Sequence, residues 1–270
     1  MTVLSRQEST KTFPEAVRVI KSDFSPSSIE SAFKGQDAVI SLVGHAGFEG
    51  QKVVVDAAAK VGVKRFIPSE FGSDTANARV CELVPIFNRK RAIIDYAKSK
   101  EAEGLSWTGV ITGPFLDWGL RTGFLGVNLS SHSAKIWDGG SVPFTATNLD
   151  AIGKALVTVL STPELVEQSK NTYIYVASLT ATQNDILAIL EKLTGKSWTT
   201  EAVSSKQVSK DGLEKFGKGD LSVVGGLIQS AIFGDEKLGD LSGMLWNEKL
   251  GLLKEDLETV IKNVLDEKTP

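Results

Sequence analysis

Residues 37–74, DAVISLVGHAGFEGQKVVVDAAAKVGVKRFIPSEFGSD, decide the fold of this chain. The apolar run from Asp37 to Val43 predicts a strand that is covered on both faces. The glycine turn Gly44–Gly50 follows, and apolar residues at helical spacing predict a helix over 51–61. Residues 64–68 predict a second strand. The stretch is therefore expected to form one βαβ unit with a parallel, right-handed crossover.

The same pattern continues on both sides of this unit. Further strands are predicted over 1–5, 17–21, 107–111 and 173–177. Helices are predicted over 29–33 with Ser27 or Ser28 as cap, and over 86–103, 150–160, 185–194 with Thr182 as cap, and 248–265. Residues 115–148 predict loops and short strands. Because strands and helices alternate through residue 111, the expected fold is α/β with a doubly wound parallel sheet.

Composition excludes several classes of function. A net charge of -3 offers no basic surplus for a nucleic acid. The single Cys81 cannot form an intramolecular disulfide, and one cysteine with two histidines argues against a zinc site. No apolar run approaches the roughly 18 residues of a membrane span, and no signal-peptide pattern opens the sequence. We therefore predict a cytoplasmic protein without a membrane or nucleic-acid partner.

Open parallel sheets bind ligands beyond the carboxyl ends of their strands, so a dinucleotide is the first ligand to consider. Gly44, Gly47 and Gly50 lie between a strand and a helix, where a pyrophosphate-binding loop belongs. The spacing alone is weak evidence. The same glycines could equally serve only a tight turn and close helix packing.

The strand and loop Lys64–Gly72, KRFIPSEFG, resemble a signature of the NmrA-like and isoflavone reductase-like proteins, which are atypical short-chain dehydrogenases. The helix segment 51–58 and the segment 147–153 are also similar to that family. The resemblance implies a Rossmann-like NAD(P)-binding domain over 1–114 and a smaller substrate-binding region over 115–270, with 150–177 returning to the sheet. It also implies NADP(H) as cofactor and a small-molecule substrate.

The resemblance changes the interpretation of the glycine turn. It implies that 37–68 is the family's fourth strand, helix and fifth strand, which places Gly44–Gly50 near the nicotinamide. The family's glycine-rich loop follows its first strand, but the first glycine here is Gly35. We therefore expect residues 1–5 to match the second strand, with the first strand, its loop and its helix missing. Such a chain should be unstable unless a neighbouring segment or subunit fills the gap.

Several residues are candidate cofactor contacts by this resemblance. Arg6 follows the second strand of the family, where an arginine can fork onto a 2′-phosphate, although it could also be a solvated surface residue. Asp23 and Phe24 follow the third strand as candidate adenine neighbours, and an ordinary turn explains them as well. The turn and the signature loop contribute the remaining candidates, which are Gly44, His45, Ser69 and Phe71. His45 could instead cap the turn.

Lys90 is the candidate general acid/base. The segment 87–90 matches the family's motif, and Lys90 interrupts an apolar stripe formed by Ile86, Ile93 and Ala97. A desolvated lysine has a lowered pKa, as proton transfer near neutral pH requires. The alternative is a lysine that snorkels to solvent. Many family reductases carry a second basic residue one turn later, where this chain has Ile94.

Two rival features are weaker. Tyr96 and Lys100 fit the Tyr-x-x-x-Lys pattern of ordinary short-chain dehydrogenases, but they lie about 9 and 15 Å further along the helix than Lys90. We interpret them as a half-buried tyrosine and a surface lysine. His132 is expected in a substrate-side loop, because no nucleophile elbow is present.

These observations predict an NADPH-dependent reductase of a small aromatic or conjugated substrate. The alternative is a non-catalytic NADP-binding sensor that regulates a partner protein. A lysine in the apolar stripe favours the enzyme, since a sensor needs no buried proton donor.

Overall fold

A computed structural model describes residues 1–266 of the chain, and it describes His45 by its backbone alone. The last four residues of the predicted 115–270 region therefore lie outside the described residues. The amino-terminal elements are β1 (Thr2–Arg6), β2 (Arg18–Ser22), α1 (Pro26–Phe33), β3 (Ala38–Ile40), α2 (Gln51–Lys60) and β4 (Arg65–Ile67). The central elements are α3 (Ala78–Leu83), α4 (Phe87–Lys98), β5 (Ser106–Ile111), α5 (Leu116–Thr122), β6 (Val127–Asn128), β7 (Ser133–Trp137) and β8 (Phe144–Ala146). The remaining elements are α6 (Leu149–Ser161), α7 (Pro163–Gln168), β9 (Thr172–Tyr175), β10 (Leu179–Ala181), α8 (Gln183–Thr194), β11 (Thr199–Val203), α9 (Ser205–Gly217), α10 (Val224–Phe233) and α11 (Leu257–Asp266).

The strands form the parallel sheets that the alternating pattern predicts. β1 and β2 pair in parallel, with Leu4 opposite Ile20. A four-stranded sheet has the order β3-β4-β5-β9, in which β3, β4 and β5 are parallel. Two smaller sheets contain β8 with β10, antiparallel, and β11-β7-β6. The α/β prediction with a parallel sheet is thus confirmed.

The residues divide into two compact units. The first comprises Met1–Ser69, Arg89–Gly109 and Lys170–Thr172, and the second comprises Glu70–Asn88, Val110–Ser169 and Tyr173–Pro270. In the first unit β4 is buried along its whole length, with Phe66 and Ile67 fully enclosed. The strand begins with buried Arg65, whose guanidinium donates to the hydroxyls of Ser106 and Thr108 at 2.8 and 2.7 Å. In the second unit, one apolar core surrounds Phe144, Ile186 and Ile261.

Helix termini follow local hydrogen bonding more closely than apolar periodicity. Thr182 and Asp185 form the capping box that starts α8, and Gly195 ends the helix in a left-handed conformation, as predicted. The predicted cap of α1 was wrong. Ser25 is the N-cap, because its hydroxyl accepts a hydrogen bond from the Ser28 amide. Pro26 suits the first position of the helix, because it has no amide hydrogen that would need an acceptor there.

The structure also corrects two helix boundaries. α4 ends at Lys98, before the predicted residue 103, and the Ser99 hydroxyl donates to the Tyr96 carbonyl at 2.6 Å there. The last helix begins at Leu257 and not at 248, because Gly251 has a φ of +60° and interrupts the helical path. Within residues 1–266, no helix is long and apolar enough to cross a membrane.

Candidate active site

The turn between β3 and α2 is tight. Residues His45–Gly47 form one 3₁₀ turn, in which the Gly47 amide donates to the Gly44 carbonyl at 2.9 Å. A Cβ on Gly47 would lie 3.0 Å from the Val43 Cβ, so a side chain there would crowd the turn. The turn then places the Phe48 side chain inside the first unit, where only 3% of it is exposed.

Ser69 joins the end of β4 to this turn. Its hydroxyl donates to the Val43 carbonyl at 2.7 Å, and its amide donates to Oε1 of Gln51 at 2.9 Å. Gln51 is 1% exposed, and its Nε2 lies 3.5 Å from the Phe48 carbonyl oxygen that accepts from it. The carboxyl ends of β3 and β4 are therefore fixed to each other and to the first residue of α2.

Lys90 reaches the same turn from α4. Ile93 and Ala97 on its helix face are buried, and Lys90 itself is half-buried, so the apolar stripe is as predicted. The Lys90 Nζ lies over the Phe48 ring, 5.6 Å from the ring centroid. An ammonium at this distance is attracted by the ring face. Helix α4 thus places the Lys90 Nζ over the ring of Phe48, the residue that follows the 3₁₀ turn.

Arg6 is the last residue of β1, while Asp23 and Phe24 follow the last residue of β2. The Arg6 side chain is exposed and pairs with Glu8 at 3.5 Å. The Ser25 amide and hydroxyl lower the pKa of the Asp23 carboxyl below its usual range. Phe24 has a φ of +58° and an exposed ring, and its amide donates to the Ser22 hydroxyl at 2.8 Å. A bulky residue held in this conformation suggests a constrained position.

Phe71 belongs to the second unit, in the loop that follows β4. Its side chain is half-buried, and the neighbouring Gly72 carbonyl accepts from the amides of Thr112 and Gly113 at 3.2 and 3.0 Å. The loop continues into Asp74, which is buried and accepts from the Tyr175 hydroxyl at 3.2 Å. These bonds give the signature loop a fixed path within its unit.

The rival residues have structural partners. The Tyr96 hydroxyl donates to both carboxylate oxygens of Asp56, at 2.7 and 2.9 Å, and Lys100 pairs with the same carboxylate at 3.1 Å. The pair therefore ties α4 to α2. His132 packs edge-on against Trp198 with 5.5 Å between ring centroids. The predicted contact of His45 lies outside the described side chains, while its neighbour Gly44 is exposed.

A cavity of about 530 Å³ lies inside the second unit. Side chains of α5, α6 and α11 line it, among them Arg121, Lys154 and Asn263. None of the predicted site residues lines this cavity.

The predicted cofactor positions share one structural property. Each lies at or just beyond the carboxyl end of one of the parallel strands β1 to β4, and they are Arg6, Asp23, Phe24, Gly44, His45, Ser69 and Phe71. Open parallel sheets bind their ligands at this end. The fold thus defines an α/β protein with parallel sheets.

Comparison with known proteins gives the family. Residues 4–233 match the NmrA-like family, and the chain belongs to that family. It is 39% identical to oxidoreductase aprR of Aspergillus flavus over 224 residues, which cover 82% of this chain and 74% of that protein. It is 30% identical to oxidoreductase poxI of Penicillium oxalicum, over 98% of this chain and 86% of that protein.

Solved structures show the same fold. The structure described as AtPrR2 with NADP+ and (+)pinoresinol superimposes with a TM-score of 0.72 and 24% identity, over 92% of this chain and 82% of that one. At this level of identity the likeness concerns the fold. The resemblance stated from the signature KRFIPSEFG is confirmed by the family match.

Two residues of this arrangement had no role in the sequence-based prediction. Phe48 stood only as part of a glycine turn, and Gln51 as the first residue of the helix segment that resembles the family, with no contact assigned to it. A polar residue at the start of an otherwise apolar helix face was the available signal for Gln51. For Phe48 no local signal existed, because its partner Lys90 is 42 positions away in the sequence.

Proposed function

We propose that this protein is an NADPH-dependent reductase of a small aromatic or conjugated substrate, with Lys90 as the proton donor. The observation that carries the proposal is the half-buried Lys90 ammonium on the Phe48 ring, beside the turn that follows β3. Two relatives that match most of this chain bear the name oxidoreductase, which supports a redox reaction.

The residues at the strand ends suit NADPH. Arg6 offers an exposed guanidinium for a 2′-phosphate, and its surface ion pair with Glu8 is weak enough to rearrange. Phe24 offers an exposed ring for the adenine. Gly44, His45, Ser69 and Phe71 would lie toward the nicotinamide. One structural neighbour is described as a complex with NADP+, which agrees with this choice of cofactor.

When bound, NADPH supplies the hydride. The substrate atom that gains the electron pair takes a proton from the Lys90 ammonium, which is left as an amine and regains a proton from water. A positioned acid of this kind contributes about 10²- to 10⁴-fold in rate. Its position against a buried ring fixes the direction of the donor and shields it partly from water.

The test measures NADPH oxidation with a panel of aromatic and conjugated carbonyl compounds, alongside a fluorescence titration with NADPH. Lys90→Met is expected to lower kcat about 10²-fold or more and to leave NADPH binding intact. Lys98→Met is the matched control, because Lys98 is an exposed lysine on the same helix, paired with Asp95 at 3.1 Å. It should retain wild-type turnover.

Each component of the proposal has its own contrary result. An absence of NADPH binding would exclude the dinucleotide site. Binding without turnover, unchanged in Lys90→Met, would instead favour a regulatory NADP-binding protein. Turnover that survives in Lys90→Met would leave the reductase standing and remove Lys90 as its acid.

A further inference from the structure

The first turns of α4 are an unfavourable place for a positive charge. Lys90 is the fourth residue of the helix, and Arg89 and Arg91 flank it. The first turn of the helix has no acidic residue. The positive end of the helix dipole opposes an ammonium here. Partial burial of Lys90 acts in the same direction.

The Phe48 ring acts in the opposite direction. Its face lies under the Lys90 Nζ at 5.6 Å from the centroid, and the negative face of an aromatic ring attracts a cation. The ring is itself held firmly. Its side chain is 3% exposed, and its backbone carbonyl accepts from buried Gln51, which also binds the Ser69 amide.

We propose that Phe48 is a positioning residue for catalysis, whose ring face orients the Lys90 ammonium and favours its protonated form. The inference rests on the proposed function, in which Lys90 is the proton donor. An acid must be protonated when the substrate arrives, so a group that favours the ammonium extends activity to higher pH. Gln51 and Ser69 support this role, because they fix the turn that carries the ring.

Other charged groups near this turn remain the same in the variants that test the ring. Arg89 and Arg91 belong to the helix of Lys90, while Glu49 and Lys52 belong to the segment that carries Phe48. The His45 side chain is the further titratable group of that turn. A change at position 48 alone therefore isolates the ring from these charges.

The first test replaces the phenylalanine by a trifluorinated phenylalanine, which keeps the ring shape but weakens the negative face. The titration of the labelled Lys90 side chain is followed by NMR in the full chain without substrate. Its midpoint is expected to shift to lower pH by about half a pH unit, as a cation–π contact of ordinary strength implies. The high-pH limb of the pH profile of kcat should shift in the same direction.

Phe48→Leu provides the second variant and Phe48→Tyr the rescue. The leucine should lower kcat with little change in the KM for NADPH, and the tyrosine, which keeps an aromatic face, should restore it. The melting temperatures of both variants show whether either has lost its fold. If Phe48→Leu unfolds, the fluorinated protein still tests the ring, because the fluorinated side chain keeps the ring shape.

The outcomes separate the two proposals. An unchanged Lys90 titration in the fluorinated protein, or equal kcat profiles for leucine and tyrosine at position 48, would overturn the role of Phe48 while the reductase stands. A shifted titration combined with full turnover in Lys90→Met would keep the contact and refute the catalytic role of the lysine.

Discussion

The Gln51 side chain, at the start of α2, binds the backbone just beyond β4: its Oε1 accepts a hydrogen bond from the Ser69 amide at 2.9 Å. The Gln51 side chain is 1% exposed, so water cannot readily replace it. Ser69 in turn binds the Val43 carbonyl. Gln51 and Ser69 together therefore link the segment after β4, the segment after β3 and the start of α2.

Gln51→Leu should lower the free energy of unfolding by about 1–3 kcal/mol, because the Ser69 amide loses its acceptor in a buried setting. If Ser69 contacts the cofactor, NADPH binding should weaken as well. Urea denaturation and NADPH titration measure the two effects. Gln7→Leu is the control, since Gln7 is exposed and such surface changes stay within about 0.5 kcal/mol. Equal stability of the two variants would contradict the linking role.

Arg6→Ala should raise the KM for NADPH about 10- to 100-fold and leave the weaker use of NADH unchanged. The reason is the loss of a charge-assisted bond to the 2′-phosphate, worth about 1.5–3 kcal/mol. Arg18→Ala is the matched control, because Arg18 starts β2 at the opposite end of the same two-stranded sheet. Initial rates measured with NADPH and with NADH test this prediction. A parallel loss with NADPH and NADH would count against a phosphate contact.

Features that depend on residues close together in the sequence could be predicted from the sequence. The βαβ unit follows from an apolar run, a helical spacing and a second strand, and β3, α2 and β4 form in that order. The expected cover on both faces of the first strand was wrong, because Ile40 and Leu42 are 37% and 75% exposed. The capping box at Thr182 is equally local. The stripe that Lys90 interrupts could be predicted because a helix places residues four apart on one face.

Features that depend on distant partners were missed. Helix α5 was predicted as part of a loop region, since residues 115–148 are weakly periodic. Packing favours glycine at this position, because a Cβ on residue 119 would lie 2.7 Å from the Leu125 side chain. Similarly, the Glu255 carboxylate binds Asn148 at 2.7 Å and Ser178, so the segment before α11 satisfies tertiary bonds and does not extend the helix.

Gly113→Ala should destabilise the second unit by about 2–4 kcal/mol. Gly113 has a φ of +60°, and a Cβ there would collide with the Thr145 carbonyl oxygen, a backbone atom that cannot move aside easily. Gly153→Ala is the opposite case. Gly153 lies at an exposed position of α6 with no heavy atom within 4 Å of the added Cβ, so the substitution should stabilise the chain by about 0.5–1 kcal/mol. Thermal melting of both variants measures the contrast, and equal melting temperatures would refute it.

The buried Asp74 should give the second unit a distinctive pH dependence. Burial raises the pKa of the Asp74 carboxyl above its ordinary 3.8, although hydrogen bonds from the Ala76 amide and the Tyr175 hydroxyl partly oppose this effect. Burial, followed by the Asp74 charge, also raises the pKa of Tyr175, so the phenol stays a donor. The folded chain therefore binds more protons at this carboxyl than the unfolded chain does. Stability must fall as the pH rises from about 3.8 through the raised pKa, and it stays lower above that range.

Asp74→Asn should remove this fall, because the amide keeps an acceptor oxygen for Ala76 and Tyr175 without carrying a charge. The measurement is urea denaturation of both proteins at a series of pH values. The difference in free energy of unfolding, variant minus wild type, should increase with pH across the window and then become constant. All other carboxyl groups are common to the two proteins and cancel in this difference. Asp37→Asn is the control, since its exposed ion pair with Lys64 is worth little, and its difference curve should be nearly flat. A flat curve for Asp74→Asn as well would show that burial does not penalise the ionised carboxylate in the folded protein.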